Sequence, residues 1–245
     1  MVFDWVARVL GCFAAAIALG LLAARRVARH PSPIIEPELV REPRFAAANA
    51  ATLVLSAAFY AAILCNVLFL TTVWRLSVLE AGLAVTPAPL VAVIAAGLAP
   101  RITARFGERA VVAPGALLLA AGAGWFALQT GATAQFVAEW LPGMVLVGAG
   151  VGLAFPALGN AALAAVPDDR LGTATAVNAT ARQIGAVVGI AVLVAILGDA
   201  GSVDAAAFDD GWTFCAALAA GVAVTALALA AGRRRSVPAA VPNHA

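Results

Sequence analysis

The sequence predicts an all-α membrane protein, a polytopic bundle of transmembrane helices, and three observations carry that reading. Apolar residues make up 63% of the chain and charged ones only 11%, against about 25% charged in an ordinary soluble domain. Such a chain cannot cover itself with polar surface, so lipid must be the solvent for most of it. The apolar residues gather into stretches of about 18 or more, long enough to cross a bilayer. The arginines, finally, recur in every second loop between those stretches.

The elements follow in order. The first span, Trp5–Ala24, has no basic segment before it and no cleavage signal after it, so it reads as a retained helix and not a signal peptide. The connector from Pro31 to Arg44 holds four prolines and alternates acidic and basic residues, the composition of an extended linker. In the second span, Phe45–Val73, the residues Asn49, Thr52, Ser56 and Tyr60 recur at spacings of three and four, which puts them on one helix face. The third, Ala81–Ala99, contains Pro87 and Pro89, and the fourth, Ala110–Leu128, contains Pro114. These are expected kinks whose freed backbone groups find partners on neighbouring helices.

The fifth span, Leu141–Ala165, carries Gly148, Gly150, Gly152 and Pro156. In water that would be a poor helix, since each interior glycine costs about 1 kcal/mol and proline about 3. In a bilayer small residues let helices approach closely. The sixth, Thr173–Gly198, follows a charged turn from Pro167 to Leu171 and sets Asn178, Arg182 and Gln183 inside an apolar run. The seventh is Trp212–Ala231. The expected organisation is a first transmembrane helix at 1–24, a cytoplasmic linker at 25–44, a six-helix bundle at 45–231 and a cytoplasmic tail at 232–245.

All fifteen basic residues are arginine, and twelve of them fall in alternate loops or the tail. That alternation is the positive-inside pattern and argues against a nucleic-acid surface. It places the N-terminus outside and the C-terminus in the cytoplasm of a cell that carries the protein in its plasma membrane. Trp74, Trp140 and Trp212 then mark the outer ends of spans, where indole rings prefer the headgroup layer. The partner implied is the lipid bilayer. Cys12, Cys65 and Cys215 show no CxxC spacing, and His30 and His244 are the only histidines. No metal cluster, phosphate loop or nucleophile–base pair appears, so neither an enzyme nor a cofactor is expected.

The motifs of the fifth and sixth spans, with the linker before them, resemble the C-terminal part of the fourteen-helix drug:proton antiporters of the major facilitator superfamily. The G-x-G-x-G…P helix is present at Gly148, Gly150, Gly152 and Pro156. The N-x-x-x-R-Q-x-G run is present at Asn178, Arg182, Gln183 and Gly185. The linker P-S-P-I-I-E-P-E-L-V-R-E-P-R-F looks like the family's connector into its last six helices. The resemblance implies that the first span is an extra central helix, and that an N-terminal bundle belongs in front of this chain. A second copy of the family's cytoplasmic loop motif falls on P-R-I-T-A-R-F-G-E-R. Arg105, Gly107 and Arg109 match it, but Ala104 stands where the family has aspartate. A charge relay through that aspartate cannot operate here, and a tight turn with anchoring arginines is what remains.

In this frame Asn49, Thr52, Ser56, Tyr60, Asn178, Arg182 and Gln183 are candidates to line a substrate cavity. The alternative for the stripe is hydrogen bonding between helices, worth about 0.6 kcal/mol per contact. Asn66 lies off the stripe and reads as packing. Arg182 is the only ionisable group well inside a span, roughly 13 Å along the helix from Thr173. It either snorkels to the headgroups or faces the interior, where it would steer an anion or pair across an interface. Gln183 lies about 100° further round the helix. The glycines either allow close packing and bending at Pro156 or form a gating hinge.

No carboxylate lies deep within a span, so a proton site would have to be on the missing half. The resemblance implies rocking alternating access that exports small hydrophobic or drug-like compounds in exchange for protons, with this chain inactive alone. The alternative is a membrane subunit or scaffold that assembles with a partner half and has no transport path of its own.

Overall fold

Inside a bilayer no water is available to backbone N–H and C=O groups, so each apolar stretch closes its hydrogen bonds along itself. The computed structural model describes residues 41–164, 166–198 and 205–234, with Leu22 and Arg25. Within these the helices are α1 (Pro43–Thr72), α2 (Val78–Val85), α3 (Pro87–Phe106), α4 (Arg109–Gln129), α5 (Leu141–Leu163), α6 (Leu171–Leu197) and α7 (Ala205–Arg234). A π-helical turn, Phe136–Trp140, leads into α5, and a 3-10 turn, Asp168–Arg170, leads into α6. No strand occurs among the described residues. Six segments among the described residues are long and apolar enough to cross a membrane, with α2 and α3 together forming one, Val78–Phe106. The span expected at Trp5–Ala24, the linker up to residue 40 and the tail from residue 235 lie outside the described residues.

Local chemistry explains where the helices start and stop. Ser77 and Glu80 form a capping box. The Ser77 Oγ accepts from the Glu80 N–H at 3.3 Å, and the Glu80 carboxylate accepts from the Ser77 N–H at 2.8 Å. Pro87 has no N–H to donate, which divides the third span at Thr86, and α3 then runs past Pro100 to Phe106. Gly107 ends α3 at φ 83°, a conformation that favours glycine. The third span is therefore longer at both ends than the apolar stretch Ala81–Ala99, because helix continues through Arg101 and Arg105.

The principal helix contacts pair α4 with α5, α1 with α6, α4 with α7, and α3 with α5. This leaves α1 the most enclosed helix, and the α2–α3 segment and α6 the most exposed. Two clusters mark the ends of the bundle. Phe45, Ala48, Ala162 and Ala174 pack together at the end where α1 and α6 begin and α5 finishes.

At the opposite end Phe69 sits within 4.9–6.1 Å, centroid to centroid, of Trp74, Trp140, Phe208 and Trp212. Phe126 closes the group against Trp140 at 4.6 Å and Trp212 at 5.6 Å. This corrects the expectation for the tryptophans. Trp140 and Trp212 are fully buried and Trp74 is nearly so, facing the bundle and not the headgroups. Each ring finds its hydrogen-bond acceptor inside the protein. Trp74 Nε1 donates to the Gly131 carbonyl at 2.9 Å, Trp140 Nε1 to Ala84 at 3.1 Å, and Trp212 Nε1 to the Asn66 side chain at 2.8 Å. Asn66, read from its position as packing, is the acceptor that lets Trp212 be buried.

Candidate functional site

The glycines of α5 divide between two neighbours. Gly148 and Gly152 lie against the carbonyl oxygens of Ala88 and Ala92 in α3. Gly150 faces α4, where a Cβ would come within 2.5 Å of the Leu119 backbone nitrogen. Backbone meets backbone on both sides, so α5 is clamped at three successive glycines. Pro156 follows within the same helix.

Just beyond Gly152 the clamp opens. A cleft of about 340 Å³ lies between α1, α3, α5 and α6. Phe59 and Tyr60 of α1, Val93 of α3, Phe155 and Pro156 of α5, and Arg182 of α6 are among its walls. Phe59 packs edge-on to both Tyr60 (5.3 Å) and Phe155 (5.8 Å). The Arg182 guanidinium carbon stands 5.9 Å from the centroid of the Phe155 ring, within cation–π range. No carboxylate lies within ion-pair distance of Arg182 among the described residues. The cleft thus has three aromatic rings, an aliphatic wall and one cation.

The polar residues singled out by spacing take different positions. Asn178 donates to the Asn49 Oδ1 at 3.1 Å and to the Thr52 Oγ1 at 3.2 Å, joining α6 to α1. Asn49 in turn donates to the Phe45 carbonyl at 2.8 Å, and Thr52 to the Ala48 carbonyl at 2.9 Å. All three are buried, so the structure places them in the α1–α6 seam and not on the cleft wall. Ser56 is fully buried with its hydroxyl unpartnered. Tyr60 and Arg182 are the members of the set that reach the cleft. Gln183 is exposed but lies off it.

Arg105 and Gly107 lie at the α3–α4 junction, where the Arg105 guanidinium covers the Phe106 ring at 5.3 Å. Arg109 opens α4, and its side chain lies outside the described residues. Phe59, Val93 and Phe155 escaped the sequence reading because apolar residues inside an apolar span carry no contrast. A signal did exist for Phe155, which follows Gly148 and Gly152 at i+7 and i+3 and so shares their face.

Among the described residues, five apolar crossings packed against the enclosed helix α1, with a cleft open along a flank, define an integral membrane helical bundle. Residues 48–244 match the model of the Major Facilitator Superfamily. The chain belongs to that superfamily. It is 33% identical over 203 residues to a probable actinorhodin transporter of Streptomyces coelicolor, covering 80% of this chain and 35% of that protein. It is 28% identical over 222 residues to an uncharacterized transporter of Escherichia coli, covering 91% of this chain and 46% of the relative. With a multidrug resistance protein B homolog of Mycobacterium tuberculosis the identity is 26% over 169 residues, 69% of this chain and 31% of the other. The chain therefore spans less than half the length of these curated relatives.

Proposed function

We propose that this chain is the C-terminal helical half of an efflux transporter that exports small hydrophobic or drug-like compounds by proton antiport through alternating access. The carrying observation is the cleft, set on an open flank of a superfamily bundle and lined by aromatic rings with one cation. The names of the relatives, transporters and multidrug resistance proteins, support the substrate class. Their length supports a further bundle as the opposing wall of the path. The bundle occupies 45–231, preceded by one extra helix and a cytoplasmic linker and followed by a cytoplasmic tail.

The arginine-bearing ends of the helices face the cytoplasm of the cell, and the buried aromatic cluster lies at the opposite, outer end of the bundle. Asn49, Thr52, Ser56 and Asn178 hold α1 and α6 together behind the cleft and so fix where Tyr60 and Arg182 stand. Gly148, Gly150, Gly152 and Pro156 fix the α5 segment from which Phe155 projects, and Arg105, Gly107 and Arg109 anchor the cytoplasmic turn.

Two measurements test the reading. In a background freed of Cys12, Cys65 and Cys215, cysteines at Tyr60 and Val93 should react with a membrane-impermeant thiol reagent, and one at Leu55 should not. Unreactive Tyr60 and Val93 positions would remove the aqueous path on which the function depends. Vesicles holding this chain alone should show no dye efflux driven by a proton gradient, and sustained efflux would overturn the division into halves. A tag placed after Arg235 should be reachable only from the cytoplasmic side.

A further inference from the structure

We infer that the cleft selects planar aromatic anions, with Arg182 as the residue that reads the charge. The inference rests on the cleft being the binding site of the transported compound. Among the described residues, Arg182 is the only charged side chain in its lining. It sits roughly 16 Å along α6 from Leu171, at about 1.5 Å per residue, which is deep for a headgroup contact. Its guanidinium stands over Phe155 at cation–π distance, and among the described residues no hydrogen bond or ion pair engages its N–H donors. A guanidinium is planar, weakly hydrated and permanently charged, and its donors fit a carboxylate in a bidentate pair.

The remaining walls decide the rest of the ligand. Phe59, Tyr60 and Phe155 offer ring edges and faces to a flat apolar body, and Val93 with Val151 closes the aliphatic side. A cationic aromatic would meet like charge at Arg182 with no carboxylate among the described lining residues to offset it. A neutral aromatic would fill the cleft but leave the guanidinium unpaired. An aryl carboxylate satisfies both halves of the site, its ring among the aromatics and its charge on Arg182.

The test measures binding of 1-naphthoate, 1-naphthamide and 1-naphthylmethylammonium to the full chain in neutral detergent, by equilibrium dialysis against protein-free micelles. Naphthoate should bind at least about tenfold more tightly than naphthamide, a difference of about 1.4 kcal/mol, and the ammonium compound more weakly than both. Arg182→Gln should bring naphthoate down to the naphthamide level and leave naphthamide unchanged. Arg182→Lys should keep part of the preference, and Arg75→Gln should keep all of it.

Equal binding of acid and amide by the wild-type chain, or a preference that survives Arg182→Gln, overturns charge selection while leaving the cleft as a binding site. Short-chain phosphatidate binding at Arg182 more tightly than naphthoate assigns the guanidinium to a lipid headgroup and also overturns it. If none of the three naphthalenes binds, the reading of the cleft itself falls, and this inference with it.

Discussion

Asn178 spends both amide hydrogens across a helix pair, and that decides what the polar stripe of α1 does in this bundle. In a membrane such a bond contributes about 0.6 kcal/mol on average and up to about 1.7, because the separated helices also find partners. A double-mutant cycle with Asn49→Ala and Asn178→Ala, followed by unfolding in detergent, should give a coupling energy of about that size. A coupling near zero would mean the two amides do not pair. Spacing placed Asn49, Thr52, Ser56 and Tyr60 on one face, but a face has two flanks. Three of these side chains turn into the interior, and only Tyr60 reaches the cleft.

The tryptophans show the same gap between position and orientation. Their places at span ends were legible, and their direction was not, because an indole suits both a headgroup and a buried carbonyl. In a Trp5→Phe, Trp125→Phe background, brominated lipids should quench the fluorescence of Trp74, Trp140 and Trp212 only weakly. Strong quenching would return the rings to the lipid boundary.

Among elements, close backbone approach is the organising feature. Gly185 and Gly189 of α6 lie against the carbonyls of Leu53 and Ala57 in α1, as Gly148 and Gly152 of α5 lie against Ala88 and Ala92. A side chain at these positions meets backbone, which cannot swing away as a rotamer can. Gly185→Val or Gly189→Val should therefore lower stability by about 1–3 kcal/mol or more, the usual cost of overpacking. Gly124→Ala, with open space around it, should stay within about 0.5 kcal/mol of the parent. Thermal unfolding in one detergent checks both, and equal effects at the two kinds of site would refute the clamp. The glycine-rich helix was visible in the sequence, but not that Gly150 faces α4 while its neighbours two residues away face α3. That assignment depends on which helices stand to either side.

At the scale of the whole molecule, α3 and α6 flank the cleft and keep large apolar side chains exposed, Leu90, Val93 and Ile94 on one and Ile184 and Val187 on the other. Lipid can cover part of this surface, and a second bundle can cover the flank that bears the cleft. The purified chain should accordingly stay monodisperse in detergent and precipitate when detergent is removed, as size-exclusion chromatography would show. Persistence in plain buffer would contradict the membrane fold.

By itself the sequence determined the solvent, the number of crossings from residue 43 onward, the turns between them and the family motifs. Those follow from composition and from the length of uninterrupted apolar runs, which are properties of one stretch at a time. Tertiary structure alone decided that the asparagines pair, that the tryptophans face inward, and that Arg182 meets Phe155 beside an open cleft. Each of these depends on the rotation of one helix against another, set by packing between residues more than a hundred positions apart in some pairs, such as Asn49 with Asn178.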